Sequence, residues 1–199
     1  MATNISRFSS IATDPLRNFK FYVEFQKVTT GPAGSTKSTP DALTKITGGF
    51  SSITGLAINT QSIPYREGGY NTTIHQIPGM TTFSPVTLQR GTLTSNTQGL
   101  VWMRRLFAAA SGEGIAIGSG EEYRCDVNIY VLDHPARIDD TTDLASIAKM
   151  QFKLHNAWIT TLQYSDLNAG DQNILFEQMT LVHEGLSAGF VGDPTTVVK

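Results

Sequence analysis

The chain has few of the features that mark secreted or membrane proteins. Cys125 is the only cysteine, so no disulfide can form within the chain, and a small fold held by disulfides is excluded. No apolar run approaches the roughly 20 residues that cross a bilayer. The first residues, MATNISRFSSIATDP, also lack the apolar stretch of a secretory signal. We therefore expect a protein that is made in the cytosol and has no membrane partner.

The chain also has no large excess of positive or negative charge. The chain has 15 Lys and Arg residues against 17 Asp and Glu residues, a formal net charge of −2. Proteins that grip DNA through its phosphates carry a strongly basic face, and this balance disfavours that class. A length of 199 residues is enough to bury a substantial core. We interpret residues 1–199 as one domain.

Motifs for catalysis or cofactor binding are missing as well. Gly112, Gly114 and Gly118 are one residue off the dinucleotide fingerprint, and they follow a predicted helix instead of joining a strand to a helix. The histidines share no metal-ligand spacing; they are His75, His134, His155 and His183. The sequence predicts no enzyme, no catalytic residue, no cofactor and no metal site.

What the sequence does contain is alternation of apolar and polar residues, which predicts a mainly β fold. Asn18–Gln26 alternates cleanly and predicts a half-buried strand. Arg124–Leu132 alternates too, with Cys125 on its apolar face, and its second face is apolar enough to be covered as well. Phe152–Leu162 and Asn173–Glu184 are predicted to pair antiparallel, because the residues between them suit a tight connection.

One flanking helix is predicted over Thr97–Ala110. Ser95 or Asn96 can cap its start, and Ser111-Gly112 supplies a stop. Residues at three- and four-residue spacing then form an apolar stripe that faces the sheet. The predicted core combines this stripe with strand residues: Phe19, Phe21, Val23, Phe25, Leu100, Met103, Phe107 and Trp158.

Three segments lack such patterns. Residues 29–49 are rich in Thr, Gly, Ser and Pro and predict a surface loop. Residues 133–149 form a second predicted insertion, and residues 187–199 a C-terminal tail. We expect these segments to decorate the domain and not to build it.

The most informative segment is Gly55–Gly91, a predicted long hairpin that turns at Gly68-Gly69. Its arms carry mainly hydroxyl and amide side chains, as in Asn59–Ser62 and Asn71–Gln76. A two-stranded ribbon with few apolar residues is marginally stable in water. Unless the segment is an ordinary exposed loop, something outside the hairpin must hold it.

Several blocks, in this order along the chain, resemble the tail tube proteins of contractile bacteriophages and of related contractile injection systems. They are DPLRNFKFYVEF at Asp14–Phe25, YREGG at Tyr65–Gly69, IPGM at Ile77–Met80, VTLQRG at Val86–Gly91, HNAW at His155–Trp158 and DLNAGDQNILFEQMTLVHEGL at Asp166–Leu186. The resemblance implies a structural subunit that forms six-membered rings, which stack into the hollow inner tube of a tail. DNA passes through such a tube into the host, and the implied partners are sheath, baseplate and tail-terminator proteins.

The resemblance also implies a fold and a set of site residues. We expect an antiparallel β-sandwich or barrel with one flanking α-helix, whose long hairpin closes an inter-subunit β-barrel in the ring. The hairpin tip should face the next ring through Tyr65, Arg66, Glu67, Gly68, Gly69 and Tyr70. Since a polar wall lets a polyanion pass without sticking, the predicted lumen-facing residues are Asn59, Gln61, Thr73 and His75.

Two other functions stay open at this point. The same tube could belong to a phage-like injection particle that delivers protein effectors, or to a non-contractile tail. A more distant alternative is a monomeric β-sandwich that binds a small ligand, which would need a deep apolar pocket.

Overall fold

The computed structural model describes residues 16–27, 49–69, 72–93, 97–112, 123–132, 147–170 and 172–190. The fold is mainly β, and its strands pair antiparallel. The elements are β1 Phe21–Lys27, β2 Ser52–Thr54, β3 Ile58–Tyr65, β4 His75–Phe83, β5 Val86–Gly91, α1 Gln98–Ser111, β6 Cys125–Leu132, β7 Ala148–Tyr164, β8 Phe176–Val182 and β9 Gly185–Phe190. Within these ranges, no helix has the length and apolar character needed to cross a bilayer.

The 17-residue strand β7 belongs to two sheets. Its first half pairs with β6 on one side and β9 on the other, and β1 pairs with β6. We call this order, β1-β6-β7-β9, sheet I. Its second half pairs with β8, followed by β5 and β2, and we call β7-β8-β5-β2 sheet II. As predicted, the strands on either side of residues 166–172 pair antiparallel.

Both sheets and α1 contribute to one apolar core. Phe25 of sheet I stacks edge-on against Trp102 of α1, with 5.8 Å between ring centroids. The Trp102 indole donates a hydrogen bond to the Tyr123 carbonyl at 2.7 Å. The fully buried apolar residues of sheet II in this core are Val86, Leu88, Ile159, Met179 and Leu181.

At the start of the chain, the predicted strand begins too early. Val23 and Phe25 are buried and Phe21 packs on the core, whereas Phe19, predicted to be in the core, is 61% exposed. Phe19 precedes β1, which begins at Phe21. The alternation in Asn18–Gln26 therefore extends past the paired strand.

The helix α1 is rotated relative to its predicted orientation. Leu100 and Phe107, predicted to be in the core, are exposed, and Met103 is partly buried against the core. The buried side runs through Gly99 and Trp102. Thr97 occupies the N-cap position, and the predicted caps Ser95 and Asn96 lie outside the described residues. At its other end the helix stops at Gly112, as predicted, with a φ of 74°.

The buried side of α1 lies against a buried ion pair. Arg90 of β5 and Glu177 of β8 are paired at 2.6 Å, and each is 2% exposed. A Cβ at Gly99 would lie 2.6 Å from the Glu177 Oε1 atom, so a larger residue would have to displace this carboxylate. Because α1 has no acidic residue in its first turn, Glu177 supplies the negative charge that a helix N-terminus favours.

Strand β7 and the C-terminal segment also differ from prediction. Trp158 is half-buried, while its neighbours Ala157 and Ile159 enter the core. Asn156, with a φ of 52°, lies beside a register shift against β6, and this shift changes which residues face inward. Residues 148–149 and 187–190 belong to β7 and β9, not to the predicted insertion and tail; 29–48 and 133–146 lie outside the described residues.

Candidate functional site: a polar sheet face and a free ribbon

Sheet II has one buried face and one face of uncharged polar side chains. The strand registers bring these polar side chains into two rows that cross all four strands. One row is mostly amide, and the other is all threonine. We call them together the amide–hydroxyl face: Ser52, Gln89, Gln178 and Gln163 in one row, and Thr54, Thr87, Thr180 and Thr161 in the other.

Cross-strand contacts within the rows hold these side chains in place. The Ser52 hydroxyl donates to the Gln89 Oε1 atom at 3.1 Å, and the Thr87 and Thr180 hydroxyls are 3.4 Å apart. Such pairs stabilise a sheet modestly. The core residues and α1 lie on the other side of the sheet, so this face is directed away from the domain's own interior.

Strands β3 and β4 extend the β2–β5 pair beyond the sheet as a free two-stranded ribbon. The two arms keep the same register across the break, since Thr54 pairs with Thr87 and Ile58 with Phe83. The sequence prediction of one long hairpin is therefore confirmed. All of β3 is exposed, and β4 is exposed apart from Gly79 and Phe83, which are half-buried.

A joint at Gly55 separates the ribbon from the sheet. Gly55 has a φ of +93°, and a Cβ there would lie 2.1 Å from the Pro85 carbonyl oxygen. The Ala57 amide donates to the Gly55 carbonyl at 2.8 Å, and the Ser84 amide donates to the Ala57 carbonyl at 3.1 Å. Both arms therefore change direction at a position that only glycine can occupy.

The base of the ribbon rests on the domain through Phe83. Its ring lies 5.5 Å from the His183 ring and packs on the core. His183 also hydrogen-bonds the Gly185 carbonyl through Nδ1 at 3.0 Å. Burial lowers the pKa of His183, so the imidazole is neutral at neutral pH.

Beyond its base, the pairing of β3 with β4 decides which of the predicted lumen-facing residues share a face of the ribbon. In β4, Gly79 and Met80 stand opposite the single residue Gln61, which is a β-bulge that leaves the alternation of β3 intact. Asn59, Gln61 and His75, three of the predicted lumen-facing residues, thus share one face. The fourth, Thr73, lies before β4 begins.

The shared face is polar near the sheet and apolar near the tip. Its inner half carries Asn59, Gln61 and Thr82, and the Asn59 amide donates to the Ser84 hydroxyl at 2.9 Å. Its outer half carries the apolar group Ile63, Ile77 and Tyr65, which the sequence analysis did not single out as a group, and also His75, which pairs with Tyr65. The tip residues Arg66–Gly69 are exposed, Gly69 has a φ of +100°, and Tyr70 lies outside the described residues.

Sequence reasoning also missed the amide–hydroxyl face. The signal for it was present, because VTLQ at Val86–Gln89, QMTL at Gln178–Leu181 and TLQ at Thr161–Gln163 each alternate polar with apolar residues. What the sequence lacked was the register that aligns them. Among the described residues, no three His, Cys, Asp or Glu side chains gather as metal ligands.

The comparisons with known proteins agree with this architecture. A comparison with curated protein sequences gave no match. The chain is similar to a protein in the sheath–tube complex of the extracellular contractile injection system PVC in its extended state, at 19% identity and a TM-score of 0.62, covering 96% of this chain and 100% of that one. It is also similar to a protein in the anti-feeding prophage (AFP) baseplate, at 19% identity and a TM-score of 0.64, covering 91% and 99%.

At these identities the structural likeness shows the fold. The family assignment comes from the sequence itself, because the model of one family matches residues 17–187, which include sheet II, α1, the ribbon and all of sheet I except the end of β9. That family is described as the T4-like virus tail tube protein gp19, and this chain belongs to it as a tube subunit.

Proposed function

We propose that the subunits close into six-membered rings that stack into the inner tube of a contractile phage tail, with the amide–hydroxyl face toward the lumen. The proposed orientation of this face toward the lumen rests on the difference in polarity between the two faces of sheet II. Its core side holds α1 and the buried residues, whereas its opposite face offers eight uncharged hydroxyl and amide side chains. An extended polar face of this kind suits a water-filled channel.

The ribbon supplies a route to ring closure. Within the described residues, β3 and β4 pair only with each other, so their outer edges are open to strands of neighbouring copies. Pro64 and Pro78 have no N–H to donate, and they fit where the backbone faces away from the partner strand. Edge pairing between copies is therefore strongest in the inner half, Ile58–Ser62, and builds the inter-subunit barrel there.

The proposed lumen explains transport without specific binding. Phosphates are held by Lys and Arg, and each such contact adds affinity that depends on salt. The amide–hydroxyl face and the polar half of the ribbon contain neither residue type. DNA would pass over hydrated side chains without being gripped, and the subunit would catalyse no reaction and need no cofactor.

Contacts with other tail components would then use the outside of the tube. Helix α1 lies on the core side of sheet II and exposes Leu100, Arg104 and Phe107. Similar structures come from a sheath–tube complex, a tube-terminating cap and a baseplate, which supports sheath, terminator and baseplate proteins as partners. The assembled particle, a virion tail or an injection particle, is the proposed location.

The first experiment tests assembly. Purified protein is analysed on a sizing column and by negative-stain electron microscopy, and we expect rings or tubes with six-fold symmetry. A stable monomer of 21.6 kDa at every concentration would contradict the proposal.

The second experiment tests the lumen and its cargo. Thr54→Lys with Gln178→Lys should leave tubes intact but slow DNA release from assembled particles, most strongly at low salt. Ser111→Lys, on the exposed end of α1, is the matched control and should release DNA normally. Analysis of the contents of wild-type particles checks the cargo, because an injection particle would hold protein and no genome.

A further inference from the structure

One imidazole lies where the ribbon meets the domain. His183 directly follows β8, and its half-buried ring packs against the ring of Phe83, the last residue of β4, with 5.5 Å between centroids. All of β3 is exposed, and the half-buried residues of β4 are Gly79 and Phe83. Gly79 lies beside Ile63 of the ribbon itself. Phe83 is therefore the side chain through which these two strands contact the domain.

The hydrogen bonding of His183 fits a neutral ring. Its Nδ1 atom lies 3.0 Å from the Gly185 carbonyl oxygen, and because a carbonyl can only accept, Nδ1 carries the proton. Its Nε2 atom is buried and has no hydrogen-bond partner among the described residues. A second proton, at Nε2, would place a charge and an unpaired N–H group in this buried position, and both are costly.

Among the described residues, no charged side chain offsets that cost. Burial lowers the pKa of His183, and the backbones of Gly185 and Ser84 oppose the shift without cancelling it. The two arms of the hairpin at this point, residues 52–58 and 82–88, contain no ionisable side chain. Packing of Phe83 on the domain therefore favours the neutral imidazole.

The ionisable side chains on the domain side of His183 have other partners. Glu184, the next residue, accepts a hydrogen bond from Arg124 at 2.7 Å. His155 of β7 lies 2.7 Å from the Ser187 hydroxyl through its Nε2 atom. A protonated His183 would thus find its adjoining carboxylate already paired.

The backbone beside this contact forms a joint. Strand pairing is interrupted around Gly55, between sheet II and the ribbon. A hydrogen bond from the Ser84 amide to the Ala57 carbonyl, 3.1 Å long, links the two arms at the joint. Because this bond holds the arms to each other and not to the domain, the direction of the ribbon depends on how Phe83 packs.

We propose that His183 is a pH-sensitive latch for the ribbon: the neutral ring holds Phe83 on the domain, and the protonated ring releases it. The inference rests on the proposed tube and adds a condition for its assembly. A released ribbon turns about the joint and no longer presents its edges in the one direction that ring closure requires. Subunits therefore assemble in neutral solution and stay apart in mildly acidic solution.

The sign of the pH effect follows from the lowered pKa of His183. The released ring titrates near the ordinary value of about 6.5, and the packed ring only at lower pH. As the pH falls below about 6.5, protons therefore favour the released form, by at most about tenfold for each pH unit, since a single group takes up one proton.

The dependence of assembly on pH tests the latch in the tube. Light scattering measures the lowest protein concentration that forms tubes between about pH 7.5 and about pH 5.5, the range in which histidine ordinarily titrates. We expect this threshold to rise several-fold on acidification for the wild type and to stay level for His183→Gln, whose amide takes up no proton. His155→Gln is the matched control and should keep the wild-type pH dependence.

Amide hydrogen exchange tests the latch in the free subunit, below the assembly threshold. The Ser84 amide should lose protection, relative to an unstructured chain at the same pH, over the range in which the His183 ring titrates by NMR. The Ser51 amide, which donates to the Gln89 carbonyl at 2.8 Å in the base of the hairpin, is the control and should stay protected.

The outcomes separate the latch from the proposed function. Wild-type protein that forms no tubes in neutral solution would contradict the tube, while the exchange measurement still decides the latch. The latch is overturned if Ser84 stays protected after His183 has titrated, or if His183→Gln keeps the wild-type pH dependence of assembly. Should His183→Gln not fold, the titration and exchange of the wild type decide alone.

Discussion

The long hairpin contains two regions that differ in burial: a base within sheet II and an exposed ribbon. Its base, β2 with β5, lies in sheet II, where Val86 and Leu88 are fully buried and Arg90 is paired with Glu177. Its extension, the ribbon β3–β4, is almost wholly exposed beyond Phe83. The pairing register of the base continues into the ribbon as far as Thr60, beyond which the β-bulge shifts it. Stability therefore resides in the base, and the ribbon is available for contacts between copies.

The difference teaches that backbone pairing alone does not tell where a strand gets its stability. Both regions consist of paired antiparallel strands. An isolated two-stranded ribbon is marginal in water, whereas burial of apolar area drives folding of the base. Substitutions in the base should therefore alter folding, and substitutions in the ribbon should alter assembly.

The largest expected effect on stability comes from the buried charge in the base. Glu177→Gln leaves Arg90 buried without its carboxylate, and breaking such a pair costs about 3–5 kcal/mol. Urea denaturation measures the free energy of unfolding. Gln178→Ala is the control, since it changes the next residue on the exposed face. A Glu177→Gln variant as stable as the wild type would show that the ion pair does not hold the base.

The joint between the two regions comes next. Gly55→Ala forces a side chain against the Pro85 carbonyl at a positive φ, and we expect it to cost about 2–3 kcal/mol of unfolding free energy. It should also misdirect the ribbon and reduce tube yield in electron micrographs. Gly91→Ala is the matched glycine control, because a Cβ there meets no atom within 4 Å. Equal tube yields from the two variants would mean that the joint does not set the direction of the ribbon.

These regions also show what the sequence could predict. Alternation identified the strands and the long hairpin, because burial of one face repeats every second residue. It placed Phe19 in the core wrongly, since alternation does not show where pairing begins. It chose Leu100 and Phe107 over Trp102 for the helix core. The buried side of α1 includes Gly99, which lies against Glu177, and these two residues are distant in sequence and meet only in the fold.

The site was predictable only in part for the same reason. Asn59, Gln61 and His75 share a face because β3 alternates regularly. The amide–hydroxyl face could not be predicted, because its rows need the registers of β2, β5, β8 and β7 together. The β-bulge at Gly79 and the strand β9, made largely of small residues, carry no periodic signal.

A smaller effect is expected where the ribbon meets the base. Because burial lowers the pKa of His183 in the folded protein, folding favours the neutral imidazole, so this contribution is present at neutral pH and is lost as the pH falls below the unfolded value of about 6.5. His183→Gln should flatten the dependence of stability on pH between neutral and mildly acidic solution. His155→Gln serves as the control. If the wild type and His183→Gln lose stability in parallel on acidification, His183 is not the responsible group.

The smallest expected effect on stability comes from removing the ribbon itself. This variant tests most directly whether the base alone determines folding and the ribbon alone determines assembly. A short Gly-Ser turn that replaces residues 60–81 keeps Ile58 and Phe83, so the contact with His183 and the core is retained. In the strands of the segment removed, almost nothing is buried within the chain. Unfolding free energy should therefore stay within about 1 kcal/mol of the wild type, since a shorter flexible loop changes closure entropy only slightly, while tube formation should be abolished. Urea denaturation and negative-stain microscopy on the same preparation measure both quantities. A large loss of stability would mean that the ribbon belongs to the folding unit after all, and normal tubes would mean that the contacts between copies lie elsewhere on the molecule.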